Sequence, residues 1–226
     1  MGPGTGLGMG LLVKSQFGKC HEILSTEGGH TDFTVKSEED WRLKKFAHDY
    51  LKNSDNVENL RARGPTERIS IERLCAGPAV PLIYEFFKKE NPDIKCVLEE
   101  GDAAKSPKDI TSGDIIRSAM TTKDDLCSKV VEKFAQIFGT EVGNFAMKTL
   151  PYGGIYLTGG VTMGLAQYLQ QTNVFKQEVY AKGRLSATVR RFPIYVLQPE
   201  IEIGILGAEE QAYRLQGCFG ISADQE

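Results

Sequence analysis

The chain has 226 residues, 41% of them hydrophobic and 25% charged, a globular composition that excludes a disordered or fibrous protein. Twenty-seven Lys and Arg against thirty Asp and Glu leave a net charge of −3, which offers no electrostatic footprint for a nucleic-acid backbone. No apolar run reaches the roughly 18 residues that span a bilayer, and the start Met1-Gly-Pro-Gly-Thr-Gly6 lacks the basic flank and apolar core of a secretory signal, so neither nucleic acid nor membrane is expected as a partner.

In chain order, Met9 to Lys14 reads as a strand after a glycine loop, with Lys19 to Leu24 as its hairpin partner. Ser37-Glu-Glu-Asp40 resembles a capping box and opens a helix whose apolar stripe is Leu43, Phe46, Ala47, Tyr50 and Leu51. Asn53 to Pro65 reads as a loop. A helix is expected over Val80 to Lys89, an irregular stretch over Asn91 to Lys108, and a short helix over Asp114 to Met120. Thr122-Lys-Asp-Asp125 is a second cap-like start, and the longest helix follows it to near Leu150. Gly139 and Gly143 inside that helix predict a close approach of another element, since each costs helix propensity of about 1 kcal/mol. Gly153 to Gly160 reads as a buried strand between glycine turns, Met163 to Gln171 as a helix, Phe192 to Gln198 as a strand and Ile205 to Leu215 as a closing helix. Strands alternating with helices predict an α/β layered fold.

The cysteines, Cys20, Cys75, Cys96, Cys127 and Cys218, lie at least 21 positions apart and form no CxxC pair. Neither a disulfide framework nor a zinc site built from local ligand pairs is expected. Cys20-His21 with His30 is too sparse a set, so no metal ligand is assigned, and the thiols read as reduced in a cytosolic protein.

Three features carry chemistry. Glycine occupies positions 2, 4, 6, 8 and 10; neither a dinucleotide fingerprint nor a Walker loop results. Gly4-Thr5-Gly6 could still let backbone N–H groups and a hydroxyl approach a phosphate, or it could be a purely architectural turn. Ser25-Thr-Glu-Gly-Gly-His30 places Glu27 and His30 on one tight turn, an acceptor and a donor–acceptor that suit a polyol, unless the pair is a plain surface turn. Glu72 lies in an apolar stretch before Gly77-Pro78; its bland alternative is an ion pair with Arg68 or Arg73.

Together with Gly153-Gly-Ile-Tyr-Leu-Thr-Gly-Gly160, these segments occur in the order and approximate spacing of the bacterial-type glucokinases, and the chain resembles that family over essentially its whole length. The family belongs to the ASKHA sugar kinases, actins and Hsp70 chaperones. The resemblance implies an α/β ASKHA large lobe, a ribonuclease H-like mixed sheet with packed helices, over residues 1–226 as one region. The sheet is expected to hold both the Met9–Lys14 and the Ile155–Thr158 strands. The related ROK kinases carry a clustered-cysteine zinc motif after their Gly-His element, absent from this sequence, so the resemblance is to the non-ROK branch.

The resemblance further implies that Glu27, His30 and Glu72 bind glucose hydroxyls, that Gly4, Thr5 and Gly6 grip nucleotide phosphates, and that Gly159 and Gly160 approach the adenosine. It implies ATP as phosphoryl donor, with Mg, and glucose as acceptor at its 6-hydroxyl. The family's Ser-Gly-Pro-Gly is replaced by Ala76-Gly-Pro-Ala79, where small residues should keep the packing. Its Asp-x-Gly-Gly-Thr loop, and the Asn-Asp-Phe element whose Asp is the catalytic base, do not occur in these 226 residues. The chain therefore reads as a truncated form with the small lobe mostly missing and no catalytic residue of its own. A catalytically inactive sugar-binding or regulatory protein is the alternative, and a purely structural interaction domain a third. A cytoplasmic address and a possible homo-oligomer complete the expectations.

Overall fold

The structure, a computed structural model, describes residues 1–14, 21–52, 68–101, 104–197 and 203–218. The loop expected over Asn53 to Pro65 lies outside them. The chain divides into two compact units, Met1–Val196 and Leu197–Glu226. The second contains one helix, Ile203–Cys218.

The first unit is built around a 25-residue helix, Asp125–Thr149. Leu126, Val130, Val131, Phe134, Ala135, Phe138 and Val142 are all buried, so more than one face of the helix is apolar and it runs through the core. Numbered along the chain, the α-helices of this unit among the described residues are α1 (Glu38–Lys52), α2 (Ala79–Glu90), α3 (Ser112–Thr121), α4 (Asp125–Thr149), α5 (Gly160–Gln171), α6 (Val174–Tyr180) and the short α7 (Ser186–Val189). Helix α4 packs against α2, α3 and α6. The contact with α6 depends on the two glycines: a Cβ on Gly139 would stand 2.5 Å from the Phe175 carbonyl oxygen, and one on Gly143 would strike that of Val179. Phe138 seals the same seam against Phe175, ring centroids 5.4 Å apart.

The helix ends follow local chemistry. Asp40 N–H donates to Ser37 Oγ at 3.1 Å, as the sequence suggests, but the Asp40 carboxylate accepts from Lys36 N–H at 3.0 Å and so caps one residue further out. The start of α4 differs from expectation. Thr122 still closes α3 through its N–H to Ser118 O at 3.0 Å, Lys123 adopts a left-handed φ of 53°, and Asp124 is the cap, accepting from Cys127 N–H at 2.8 Å. The reciprocal capping box belongs instead to α3, between Thr111 and Asp114.

The strands are short. Gly10–Lys14 and His21–Ser25 form the expected antiparallel hairpin, and Ile155–Leu157 pairs in parallel with Ile194–Val196. These are separate two-stranded sheets, as is the pairing of Gly2–Pro3 with Leu7–Gly8. The expected single sheet holding both Met9–Lys14 and Ile155–Thr158 is therefore corrected. The physical reason lies at the free edge of Ile155–Leu157. There Met1 N donates to Tyr156 O at 2.9 Å and Met1 O accepts from Thr158 N–H at 3.0 Å, so the first residues occupy the edge that a further strand would need.

Candidate functional site

The edge contact of Met1 places the first glycine loop. Gly2 pairs with Gly8 and Pro3 with Leu7, which leaves Gly4-Thr5-Gly6 as the turn. Gly4 N–H closes it on Gly6 O at 2.8 Å, and Gly4 O accepts from Gly77 N–H at 2.7 Å. Ser112 Oγ in turn donates to Gly77 O at 2.7 Å, so the turn is tied through Gly77 to the start of α3. Thr5 is exposed, and its hydroxyl has no hydrogen-bond partner among the described residues.

The second glycine turn lies beside the first. Gly159 has φ +91°, and a Cβ there would stand 2.6 Å from Pro3 O; only glycine tolerates both the conformation and the approach. Gly160 opens α5 with free space where a Cβ would be. The two segments assigned to the nucleotide are thus neighbours.

Glu27 and His30 flank a single 3₁₀ turn, Gly28–His30. Two threonines brace it. Thr26 Oγ1 donates to Met9 O at 3.0 Å and accepts from Gly28 N–H at 3.3 Å, while Thr31 Oγ1 donates to Gly28 O at 2.8 Å. The glycines let the turn press onto the strand: a Cβ on Gly29 would collide with Leu7 O, and one on Gly28 would meet Met9 Sδ at 2.6 Å. The Glu27 and His30 side chains project outward together, 89% and 61% exposed, with Oε2 and Nε2 3.7 Å apart.

Glu72 reaches the same strand. Its Oε2 accepts from Leu7 N–H at 2.9 Å, and a Cβ on Gly6 would lie 2.5 Å from that oxygen. The segment before it pairs directly with the Glu27 turn, through Ile71 N–H to Thr31 O at 2.8 Å and Phe33 N–H to Ile69 O at 2.9 Å. Arg68 is engaged elsewhere, by Asp32 at 2.6 Å and by His30 O. Among the described residues no hydrogen bond or ion pair joins Glu72 to Glu27 or His30. The structure gathers their backbones around Leu7 without linking the side chains.

Sequence reasoning passed over Thr26, Thr31 and Leu7. The threonines flanking Gly-Gly are a recognisable turn signal; the role of Leu7 is a backbone one and leaves no trace in residue type. A separate polar cavity of about 250 Å³, lined by Lys36, Asp40, Lys133, Thr140, Glu141 and Glu178 among others, involves none of the predicted site residues.

The chain that builds this arrangement, a glycine turn beside a Glu-Gly-Gly-His turn on an α/β scaffold, is matched over residues 1–214 by a sequence model of the family described as Glucokinase. The glucokinase of Nostoc punctiforme is 33% identical over 224 residues, covering 95% of this chain and 60% of its own length. The chain belongs to the glucokinase family, and it spans about 60% of the length of that relative. Its fold is similar to that of Balamuthia mandrillaris glucokinase in complex with glucose, with TM-score 0.69 at 16% identity, covering 88% of this chain and 49% of that one. It is less similar to a ROK family glucokinase from Streptomyces griseus in complex with glucose and AMPPNP, with TM-score 0.54 at 18% identity, covering 87% and 53%. No helix of the described residues is long and apolar enough to cross a membrane.

Proposed function

We propose that this chain carries the sugar- and nucleotide-binding surface of a glucokinase, an enzyme that moves the γ-phosphoryl group of ATP to the 6-hydroxyl of glucose. The observation that carries the reading is the Leu7 strand, whose N–H binds Glu72, whose carbonyl lies against the Glu27–His30 turn, and which starts at the Gly4-Thr5-Gly6 turn. Glucose-bound and ATP-analogue-bound neighbours support glucose and ATP as the substrates.

In this reading the Glu27 and Glu72 carboxylates accept hydrogen bonds from sugar hydroxyls, and the His30 imidazole accepts one and donates another. The Thr5 hydroxyl and the N–H groups of Thr5 and Gly6 face the phosphates on a turn that Gly4 closes; Gly159 and Gly160 face the adenosine. The turn fits a phosphate better than a metal, because it offers backbone N–H groups and the Thr5 hydroxyl, and the carboxylate against it is that of Glu72 alone. Mg is then carried by the nucleotide and not by these residues. Phosphoryl transfer is chiefly a matter of positioning and charge stabilisation, and positioning is what these groups supply. The base for the hydroxyl proton is not among them. A cytoplasmic, self-associating protein accompanies this reading. No observation favours the inactive sugar-binding alternative.

Calorimetry with glucose tests it. Glu27→Gln and Glu72→Gln should each weaken binding roughly 10- to 150-fold, the equivalent of a charge-assisted hydrogen bond of about 1.5–3 kcal/mol. A coupled assay for glucose 6-phosphate reads the activity. Unchanged affinity in both variants would remove the sugar-site assignment.

A further inference from the structure

We propose that Cys96, Cys127 and Asp124 form a buried zinc site that staples the segment around Cys96 to the start of α4. Sequence spacing hides it, since the cysteines are 31 positions apart, and only the fold brings them together. One ligand atom from each of the three residues lies within 4.8 Å of the others, and all three residues are buried.

The sulfur spacing argues for a metal over a disulfide. Cys96 Sγ and Cys127 Sγ are 3.8 Å apart. Two thiolates on one tetrahedral zinc, each at about 2.3 Å, sit about 3.8 Å from one another. A disulfide would need the sulfurs to close to about 2.05 Å.

The carboxylate is already aimed. Asp124 Oδ1 accepts from Cys127 N–H at 2.8 Å and Oδ2 from Val97 N–H at 2.9 Å. Each oxygen keeps a second lone pair for a metal, and both bonds hold the ligand as outer-shell partners do in zinc sites. Water is left to complete the fourth position. The N-terminus of the 25-residue α4 favours the negative charge that two thiolates and a carboxylate bring.

Binding exchanges two thiol protons for one Zn²⁺. The protons leave to solvent, the carboxylate is already ionised, and no oxidant or reductant takes part, so affinity should fall as pH falls. Cys75, also buried, is outside the set.

The test uses reduced, metal-free protein titrated with Co²⁺ and then Zn²⁺. One equivalent of Co²⁺ should give the thiolate charge-transfer and visible d–d bands of a tetrahedral site. Zn²⁺ should bleach these bands and raise Tm. Cys96→Ser and Cys127→Ser should lose both signals, Asp124→Asn should weaken binding at least tenfold, and Cys75→Ser should keep them. A Cys20→Ser/Cys218→Ser double variant should also keep them, which separates the site from adventitious thiols. Absence of a tetrahedral cobalt spectrum in reduced wild-type protein would overturn the proposal, whatever the variants do. So would a spectrum that survives Cys96→Ser, or a Cys96–Cys127 disulfide found in the protein purified without reductant.

Discussion

The backbone N–H of Leu7 donates to the Glu72 carboxylate at 2.9 Å across 65 positions of sequence. This bond fixes one oxygen of a proposed sugar ligand against the first glycine turn. It also brings Gly6 close, since a Cβ there would lie 2.5 Å from the same oxygen and Glu72 could not keep this position.

Gly6→Ala should therefore act on Glu72 more than on the fold. The obstacle is the end of a flexible side chain, which can rotate away at little cost in stability. Glucose affinity should fall by the same order as in Glu72→Gln, roughly tenfold or more, with Tm nearly unchanged. Gly4→Ala is the control, because a Cβ at Gly4 meets nothing within 4 Å. Calorimetry and thermal unfolding of the two variants separate the effects. Equal glucose affinity in both would mean that Glu72 does not touch the sugar.

Gly139→Ala and Gly143→Ala should destabilise the first unit. Here the added methyl meets a backbone carbonyl oxygen of α6 at both positions, with the Lys182 side chain beside it at Gly143, so α6 must move away from α4. Overpacking of this kind costs about 1–3 kcal/mol, and the helix-propensity gain of up to about 1 kcal/mol offsets only part of it. Urea denaturation should show a lower midpoint for each variant. A midpoint at or above that of the wild type would show that the seam has slack.

Much of this was legible in the sequence, and the failures have physical causes. The helices could be read because apolar periodicity is local: α4 and its paired glycines followed from Leu126, Val130, Phe134, Gly139 and Gly143 alone. The hairpin of Gly10–Lys14 was also legible from its glycine loop. What could not be read was which edge a strand offers. Occupation of the Ile155–Leu157 edge by Met1 is a backbone event between residues 155 positions apart, without a residue-type signature. The cap at Asp124 was misread because Thr122 has an equally good capping side chain, and tertiary packing of α3 decided between them. At the site, the glycine turns and Glu72 stood out by composition, while Leu7 acts only through its peptide groups.

Lys133 holds the first turn of α1 to α4. Its Nζ pairs with Asp40 Oδ1 at 3.0 Å and with Glu39, and Lys133 itself is only 5% exposed. Replacing it with Met should cost about 3–5 kcal/mol, because the buried Asp40 charge would lose its cation. A pH dependence accompanies the pair. Burial raises the Asp40 carboxyl, but the Lys133 hydrogen bond and charge, with the Lys36 N–H and Ser37 behind them, together more than offset this and hold it below its ordinary value of 3.8. The stabilisation is thus fully present above the unfolded carboxyl value and is lost as pH falls from there through the lower folded one. The gap in stability between wild type and Lys133→Met should narrow in acid; a constant gap from neutral pH to pH 3 would contradict the pairing.

Glu141 should behave in the opposite sense. It is 4% exposed, and Asn144 Nδ2 donates to its Oε2 at 3.2 Å. Burial pushes its carboxyl above the ordinary 4.5, against the smaller opposing pulls of the Asn144 amide and the Lys148 and Lys182 charges. A carboxyl raised in the folded state binds its proton more tightly there than in the unfolded chain. Its favourable contribution is complete below the unfolded value and disappears as pH rises through the folded one. At neutral pH the ionised group is a net cost, so Glu141→Gln, which keeps the shape and the amide contact, should raise Tm by a few degrees. Below about pH 4.5 the wild-type carboxyl is protonated in both states, and the advantage of the variant should vanish. Thermal unfolding of both proteins from pH 4 to pH 8 measures the crossover. A Glu141→Gln variant less stable than wild type at pH 7 would show that the Lys148 and Lys182 charges outweigh the burial of the carboxylate.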